Sequence, residues 1–314
     1  MRDRQVLTLG EVGVDWIIRV PALPPRGGNA WTPAPERHGG GATANVAVGL
    51  ARLGVPVSFW GKVGDDEHGR FLLKELIQEG IDTTLAQVDP ESFTMVVIAV
   101  VDAEGERTFF TCSQGAAHTK LTLEEMDPRV IGNALWLHTS GTCLAEAPSQ
   151  DAILHAMALA RDLGVPVSID VNICLERELI SASFRQALER AVLLADVVLG
   201  SADEISSLAP ASTVEASARA LTSENRTVVA RLGPEGALAA SPAGVVAAPA
   251  FPTRVVDTVG AGDAFDAGFI AARVAGFGME MAVRWGNAVA ALKVGRPGAR
   301  GLPSRAEVEE LLHA

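Results

Sequence analysis

The sequence has 314 residues, 26 Lys and Arg against 38 Asp and Glu, a formal net charge of −12, and 48 % hydrophobic residues. Only four of the cations are lysines (Lys62, Lys74, Lys120, Lys293). So acidic a chain excludes nucleic acid as a partner, because that binding is driven by phosphate neutralisation, and it disfavours an anionic membrane for the same reason.

No run of eighteen uncharged apolar residues is present, so no membrane span is expected. Met1-Arg2-Asp3-Arg4 leads directly into a strand-like Gln5–Leu9, without the architecture of a signal peptide. Strands short enough to be buried on both faces are predicted at 5–10, 57–61, 134–138, 166–170, 196–199 and 226–230. Helices are predicted between them over 42–53, 66–79 and 149–163, with glycine stop signals at Gly54, Gly80 and Gly164. This alternation is that of an α/β fold. Two stretches interrupt it: 14–38, with a β-like Val14–Val20 and a Pro/Gly-rich loop, and 93–111, two β-rich runs joined by Asp102-Ala103-Glu104-Gly105. Both are expected to leave the main sheet and meet as a small β-lid, so that 1–314 reads as one domain with insertions at about 14–38 and 93–111. The three cysteines (Cys112, Cys143, Cys174) are odd in number and far apart, which suits a reducing, cytoplasmic setting and neither a disulfide framework nor a zinc site.

Two segments carry chemistry. In Val256-Asp257-Thr258-Val259-Gly260-Ala261-Gly262-Asp263-Ala264-Phe265-Asp266, small residues lead into an apolar helical stretch reaching about Ala275. Successive N–H groups at a helix start bind an anion without any lysine, and Asp263 would stand where a carboxylate can accept a proton from an attacking hydroxyl. The bland reading is a tight turn followed by an early-helix acid. In His38-Gly39-Gly40-Gly41-Ala42-Thr43-Ala44-Asn45, three glycines open a helix and admit a ligand close to the backbone, while Asn45 offers donor and acceptor to a polyol. By itself that run is a flexible loop as readily as a site. No Walker P-loop and no Rossmann glycine pattern occurs. The six histidines lack metal-ligand spacing, and the tryptophans read as packing.

These segments resemble the two signature regions of the ribokinase family, the PfkB-type carbohydrate kinases. Asp257 to Ile270 matches the second signature throughout, and Gly40–Asn45 the first, with Thr43 where Gly, Ala or Pro is usual. The resemblance runs from Gly10-Glu11-x-x-x-Asp15 to Arg296-Pro297-Gly298-Ala299. It implies a ribokinase-like three-layer α/β/α sandwich, with a mostly parallel central sheet and the β-lid. It also implies ATP-dependent phosphorylation of a primary sugar hydroxyl, with Asp263 as base and the amides of Gly260, Ala261, Gly262 and Asp263 as anion hole.

Asp15, Gly40, Gly41 and Asn45 match the substrate contacts of the family. Arg231, Gly233 and Gly236 match a turn lining the nucleotide, and Asn287 a helix flanking the adenine. Ser201 and Glu204 stand in the Asn-x-x-Glu segment, Glu204 reaching Mg²⁺ through water and Ser201 replacing the Asn. Asp257 with the carbonyls of Val259, Lys293, Arg296 and Gly298 matches a monovalent-cation site, so potassium and potassium activation are expected. Relatives often dimerise through the lid, so a homodimer is expected.

Other departures bear on the substrate. Asp170-Val171-Asn172-Ile173-Cys174 lacks the Arg found in sugar-acid kinases. Gly13 replaces an Asn of ribose-specific members, and Ser140-Gly141 a ribose-contacting Glu. Gln114, in Gln114-Gly115-Ala116-Ala117, is the remaining candidate for pocket specificity. The expected substrate is a neutral, fructose-like or ribose-like sugar. The alternatives are a nucleoside kinase of the same family and a catalytically silent sugar sensor or scaffold. The retained base and glycines speak against the silent reading.

Overall fold

The computed structural model describes residues 4–173 and 181–314. The first half of the chain forms β1 (Val6–Leu9), β2 (Gly13–Arg19), β3 (Glu36–Gly40), helix α1 (Ala42–Arg52), β4 (Val57–Trp60), β5 (Lys62–Gly64) and α2 (Glu67–Gln78). There follow β6 (Gln87–Asp89), β7 (Met95–Val101), β8 (Arg107–Cys112), α3 (Pro128–Gly132), β9 (Trp136–Ser140), α4 (Ser149–Asp162) and β10 (Val167–Asp170). The second half adds α5 (Ala182–Leu194), β11 (Val197–Ser201), α6 (Ala202–Leu208), α7 (Val214–Leu221), β12 (Thr227–Arg231), β13 (Ala237–Ser241) and β14 (Gly244–Ala248). Helices α8 (Ala261–Val274), α9 (Met279–Val294) and α10 (Arg305–His313) complete it.

The central sheet has eight strands in the order β14-β13-β12-β11-β10-β9-β1-β4. The six runs expected as buried strands are its six parallel members, from β4 to β12, and the β13–β14 hairpin adds an antiparallel edge. Because side chains alternate across a strand, Val6, Phe59, Leu199 and Val229 enter one core with α1, α8 and α9. Their neighbours Leu7, Leu9, Val198 and Val228 enter a second core with α4 and α5. Two buried faces explain why these strands are continuous apolar runs, and they make three layers.

The two interrupting stretches pair into a four-stranded sheet ordered β3-β2-β7-β8, β2 lying antiparallel to β3 and parallel to β7. The β7–β8 turn is held by Asp102, whose Oδ1 accepts from the N–H groups of Glu104 and Glu106. Among the described residues no helix is long and apolar enough to cross a membrane.

Parallel strands with right-handed crossovers deliver their carboxyl ends to one edge of the sheet, where ligands of open α/β folds bind. Here that edge gathers Glu11 just beyond β1, Ser140 of β9, Asp170 of β10, Ser201 of β11 and Arg231 of β12. α1 and α8 start beside it.

Candidate active site

Helix starts in this protein divide into two kinds. α2, α5, α6 and α7 are closed by their own side chains: Asp66, Ser181, Ser201 and Thr213 accept from first-turn N–H groups. α1, α8 and α9 instead open on Gly41, Gly260 and Gly278, and α4 on Pro148, none of which supplies a capping side chain. Gly260 is left-handed (φ 75°), and a Cβ there would meet the backbone of Ala299 at 2.9 Å, so only glycine fits. At the start of α8 the Ala261 N–H donates to the Thr258 carbonyl and Ala264 N–H to that of Gly260. The N–H groups of Gly262 and Asp263, between them, find no backbone acceptor among the described residues. They present the positive end of α8 to an external anion.

Asp263 is buried in the first turn of α8. Its Oδ2 accepts from Asn45 Nδ2 at 2.8 Å, across the α1–α8 contact. Burial lifts its carboxyl to about 7; the Asn45 hydrogen bond and Arg231 pull down, and the charges of Asp170 and Glu11 push further up. A base titrating near neutrality is matched to taking a proton from an alcohol.

Arg231 is placed otherwise than its resemblance to a nucleotide-lining turn implies. Its guanidinium turns inward and donates to Asp170 Oδ1 and Asp266 Oδ1, each at 2.8 Å, with Glu204 at 3.7 Å. A Cβ on Gly262 would meet it at 3.2 Å, so a buried cation stands directly behind the glycine turn. Asp266 is wholly buried, and burial together with Asp170 holds its carboxyl well above the usual range. Gly233 and Gly236 lie in the turn after β12, both at positive φ, where a Gly236 Cβ would strike the Ala248 carbonyl at 2.1 Å. Asn287 is buried and donates to the carbonyls of Ala248 and Pro249, tying α9 to the end of β14.

On the substrate side, Asp15 of β2 lies against Gly40 of β3, where a Cβ would sit 2.4 Å from its carboxylate. Burial raises the Asp15 carboxyl to about 6, against the pull of Arg300 and His38. Gln114 is exposed in the turn after β8; Ser113 and Thr111 line the neighbouring cavity in its place. That cavity, about 500 Å³, lies between the small sheet and the strand ends, and Glu11, His118, Thr142, Glu146 and Asn172 supply its polar lining. Glu11, quoted in the motif without a role, proves central: it accepts from Ala42 N–H at 3.1 Å, from Thr142 Oγ1 at 2.8 Å, and from the Cys143 thiol. It thereby closes the start of α1 from the segment between β1 and β2. Cys174, where an expected Arg is lost, lies outside the described residues.

The two metal expectations fare differently. Glu204 forms a capping box with Ser201, its Oε2 accepting from Ser201 N–H and its Oε1 from Ile173 N–H. A carboxylate with four lone-pair sites keeps room for water-mediated contact, so Glu204 fits an outer-sphere magnesium role. The potassium set fits poorly. Val259, Lys293 and Gly298 do converge on Asp257, whereas the Arg296 side chain turns to Leu302 and Glu307. However, the fully buried Lys293 ammonium donates to the Asp257 carbonyl at 2.7 Å. Arg107 from β8 pairs with the Asp257 carboxylate at 3.0 Å, and that carboxylate also accepts from Val259 and Gly298 N–H. Protein cations already supply the charge that a bound ion would bring.

A glycine-opened helix aimed at the strand ends sets a buried carboxylate beside free amides on a doubly wound α/β frame. Residues 3–305 match the model of the pfkB family carbohydrate kinases, and the chain belongs to that family. It is 36 % identical over 234 residues to a fructokinase of Klebsiella pneumoniae, covering 74 % of this chain and 76 % of the relative. It is 33 % identical over 310 residues to an ATP-dependent ribose-1-phosphate kinase of Halopiger xanaduensis, covering 98 % of each. Among solved structures, a ribokinase-II-type protein of E. coli in complex with ATP and Mg²⁺ superposes with a TM-score of 0.88 at 29 % identity over 99 % of both chains. The protein is a carbohydrate kinase.

Proposed function

We propose that the chain moves the γ-phosphoryl group of ATP onto a primary hydroxyl of a small neutral sugar, fructose-like or ribose-like. The observation that carries this reading is Asp263: a buried carboxylate raised to about 7, one residue from the unpaired Gly262 amide and hydrogen-bonded to Asn45. Asp263 takes the hydroxyl proton as the sugar oxygen bonds to phosphorus and the bond to the leaving ADP breaks. The amides of Gly262 and Asp263 receive the charge on the phosphoryl oxygens, with Arg231 behind them. Magnesium carried on the nucleotide neutralises phosphate charge, and Glu204 would hold its water shell. Potassium is left out of this reading, because Lys293 and Arg107 serve Asp257.

The cavity supports a neutral substrate. Its described lining contains the carboxylates of Glu11 and Glu146 and no Lys or Arg. Acceptor-rich walls suit hydroxyl donors and repel a carboxylate or phosphate. The fit to a homodimer lies in the small sheet, where Phe109 and Phe110 are 53 % and 55 % exposed. Neighbours on a strand point to opposite faces, so both faces of β8 are uncovered.

The test is ATP consumption over fructose, ribose, ribose 1-phosphate and a nucleoside set, with Asp263→Asn as control. A neutral sugar should give the highest kcat/KM, and the variant should lose about 10²-fold or more in kcat. Equal rates for variant and wild type would remove the base. A preference for ribose 1-phosphate would remove the neutral-substrate reading.

A further inference from the structure

Arg300 belongs to neither signature segment, yet its side chain is only 8 % exposed and enters the site. Its Nε donates to Asn45 Oδ1 at 3.1 Å, its Nη2 to the Gly40 carbonyl at 3.2 Å, and its Nη1 to the Glu75 carboxylate of α2. The middle glycine of the triple-glycine run is shaped to it: a Cβ on Gly39 would lie 1.9 Å from Arg300 Nη1 and 2.1 Å from Glu75 Oε2. The same amide that accepts from Arg300 donates through Nδ2 to Asp263. Four residues thus form one chain of hydrogen bonds, Glu75–Arg300–Asn45–Asp263.

We propose that Arg300 is a positioning residue: by fixing which way the Asn45 amide faces, it makes that amide an obligatory donor to Asp263. The argument is one of donors and acceptors. A guanidinium has five N–H groups and no acceptor, so the amide oxygen must face it. Turning the amide over would set NH₂ against guanidinium and oxygen against carboxylate, two repulsive contacts. The turned amide suits Asp263 only when the carboxyl is protonated and can donate. Arg300 therefore biases the pair toward the ionised base, the form that accepts a proton from the sugar. It also leaves Asn45 with a single N–H to offer a substrate, because its oxygen and its other N–H are engaged.

This inference rests on the assignment of Asp263 as base, and the test separates the two. The charged groups acting on Asp263 are Asp170 of β10, Glu11 beyond β1, Arg231 of β12 and Lys293 of α9, with Asp266 on its own helix. None of these is altered by a change at Arg300, although Asp15, which Arg300 holds down, will also titrate higher. The kcat of the whole kinase with saturating ATP and fructose is followed from pH 5.5 to 9 for wild type, Arg300→Leu and Arg300→Lys. In Arg300→Leu the acid limb should move up by about half a pH unit or more, with kcat recovering toward wild type at pH 9. Arg300→Lys, another donor without an acceptor, should return the limb most of the way.

An unmoved limb in Arg300→Leu, or a loss of equal size at every pH, overturns the proposal. If Arg300→Leu does not melt cooperatively, Glu75→Gln replaces it. That variant loosens the guanidinium while keeping it and should shift the limb in the same direction; no shift there also overturns the proposal. Asp263→Asn at wild-type rate would remove the base and the relay together. An inactive Asp263→Asn with an unmoved Arg300→Leu profile would remove the relay alone.

Discussion

Asp263 carries two opposing pressures in one carboxyl group. Burial, Asp170 and Glu11 favour its protonated form, and Asn45 and Arg231 its ionised form, leaving it near 7. A base works ionised, so activity should be full above that pH and fall about tenfold per unit as pH drops below it. The midpoint read from kcat/KM belongs to Asp263 together with Asp266 on the same helix, whose carboxyl is also raised. A rate that stays flat down to pH 5.5 would contradict the assignment. The stability consequence has the same origin. Asp263 binds its proton more tightly folded than unfolded, so its contribution to stability rises as pH falls from about 7 toward 3.8, the ordinary value of an aspartate. At this scale Asp263 and its glycines were legible, because they adjoin in the chain. Arg300 was not, since its partner Asn45 is 255 positions away. Glu11 stood in a quoted motif, but its work depends on Ala42, Thr142 and Cys143 arriving from elsewhere.

An uncapped start is not by itself functional, since α4 and α9 also lack a capping side chain; α8 differs in opening beside Asp263 and the strand ends. α6 closes its own start with the Ser201–Glu204 box, whereas α8 leaves Gly262 and Asp263 N–H groups open. Gly260 holds that start in place, and Gly54 provides a matched control: φ is 75° at the first and 76° at the second, but only Gly260 has backbone against it. Gly54→Ala should cost about 1 kcal/mol in urea unfolding, the left-handed penalty alone, and leave kcat unchanged. Gly260→Ala should cost more, toward about 3 kcal/mol, and abolish activity as α8 or the Ala299 segment is displaced. Equal effects of the two changes would show that close approach at Gly260 is unimportant. Helix and strand existence followed from periodicity at this scale, with α1, α2 and α4 falling within a residue or so of the expected spans. The small-residue β13–β14 edge carried no such signal: Ala237-Leu238-Ala239-Ala240 has neither β-branching nor alternation, and it becomes a strand by pairing with β12.

Across the whole molecule, Asp257 is a junction between the small sheet, through Arg107, and the last long helix, through Lys293. Replacing tetramethylammonium by potassium should therefore leave kcat/KM within about twofold, since the fixed charges are already present. A strong rise with potassium would show that the ion enters despite them. The exposed Phe109 and Phe110 predict a dimer at twice the 32.7 kDa chain mass by light scattering, and Phe109→Ser/Phe110→Ser should yield monomers with the fold retained. A wild-type monomer at micromolar concentration would remove the dimer.

By itself the sequence determined the α/β alternation, the buried strands, the family and the glycine turn that leads into Asp263, because each is written in residues close along the chain. The −12 charge disfavoured polyanions as surface partners without touching this site, where open backbone N–H groups stand with Arg231 behind them. Only the tertiary structure decided that Arg231 turns inward and that Lys293 reaches Asp257. It alone showed Gln114 outside the cavity and Arg300 hydrogen-bonded to Asn45. Those four outcomes depend on which side chains converge after folding. Burial then sets the strength of each charge and hydrogen bond, and neither spacing nor composition records it.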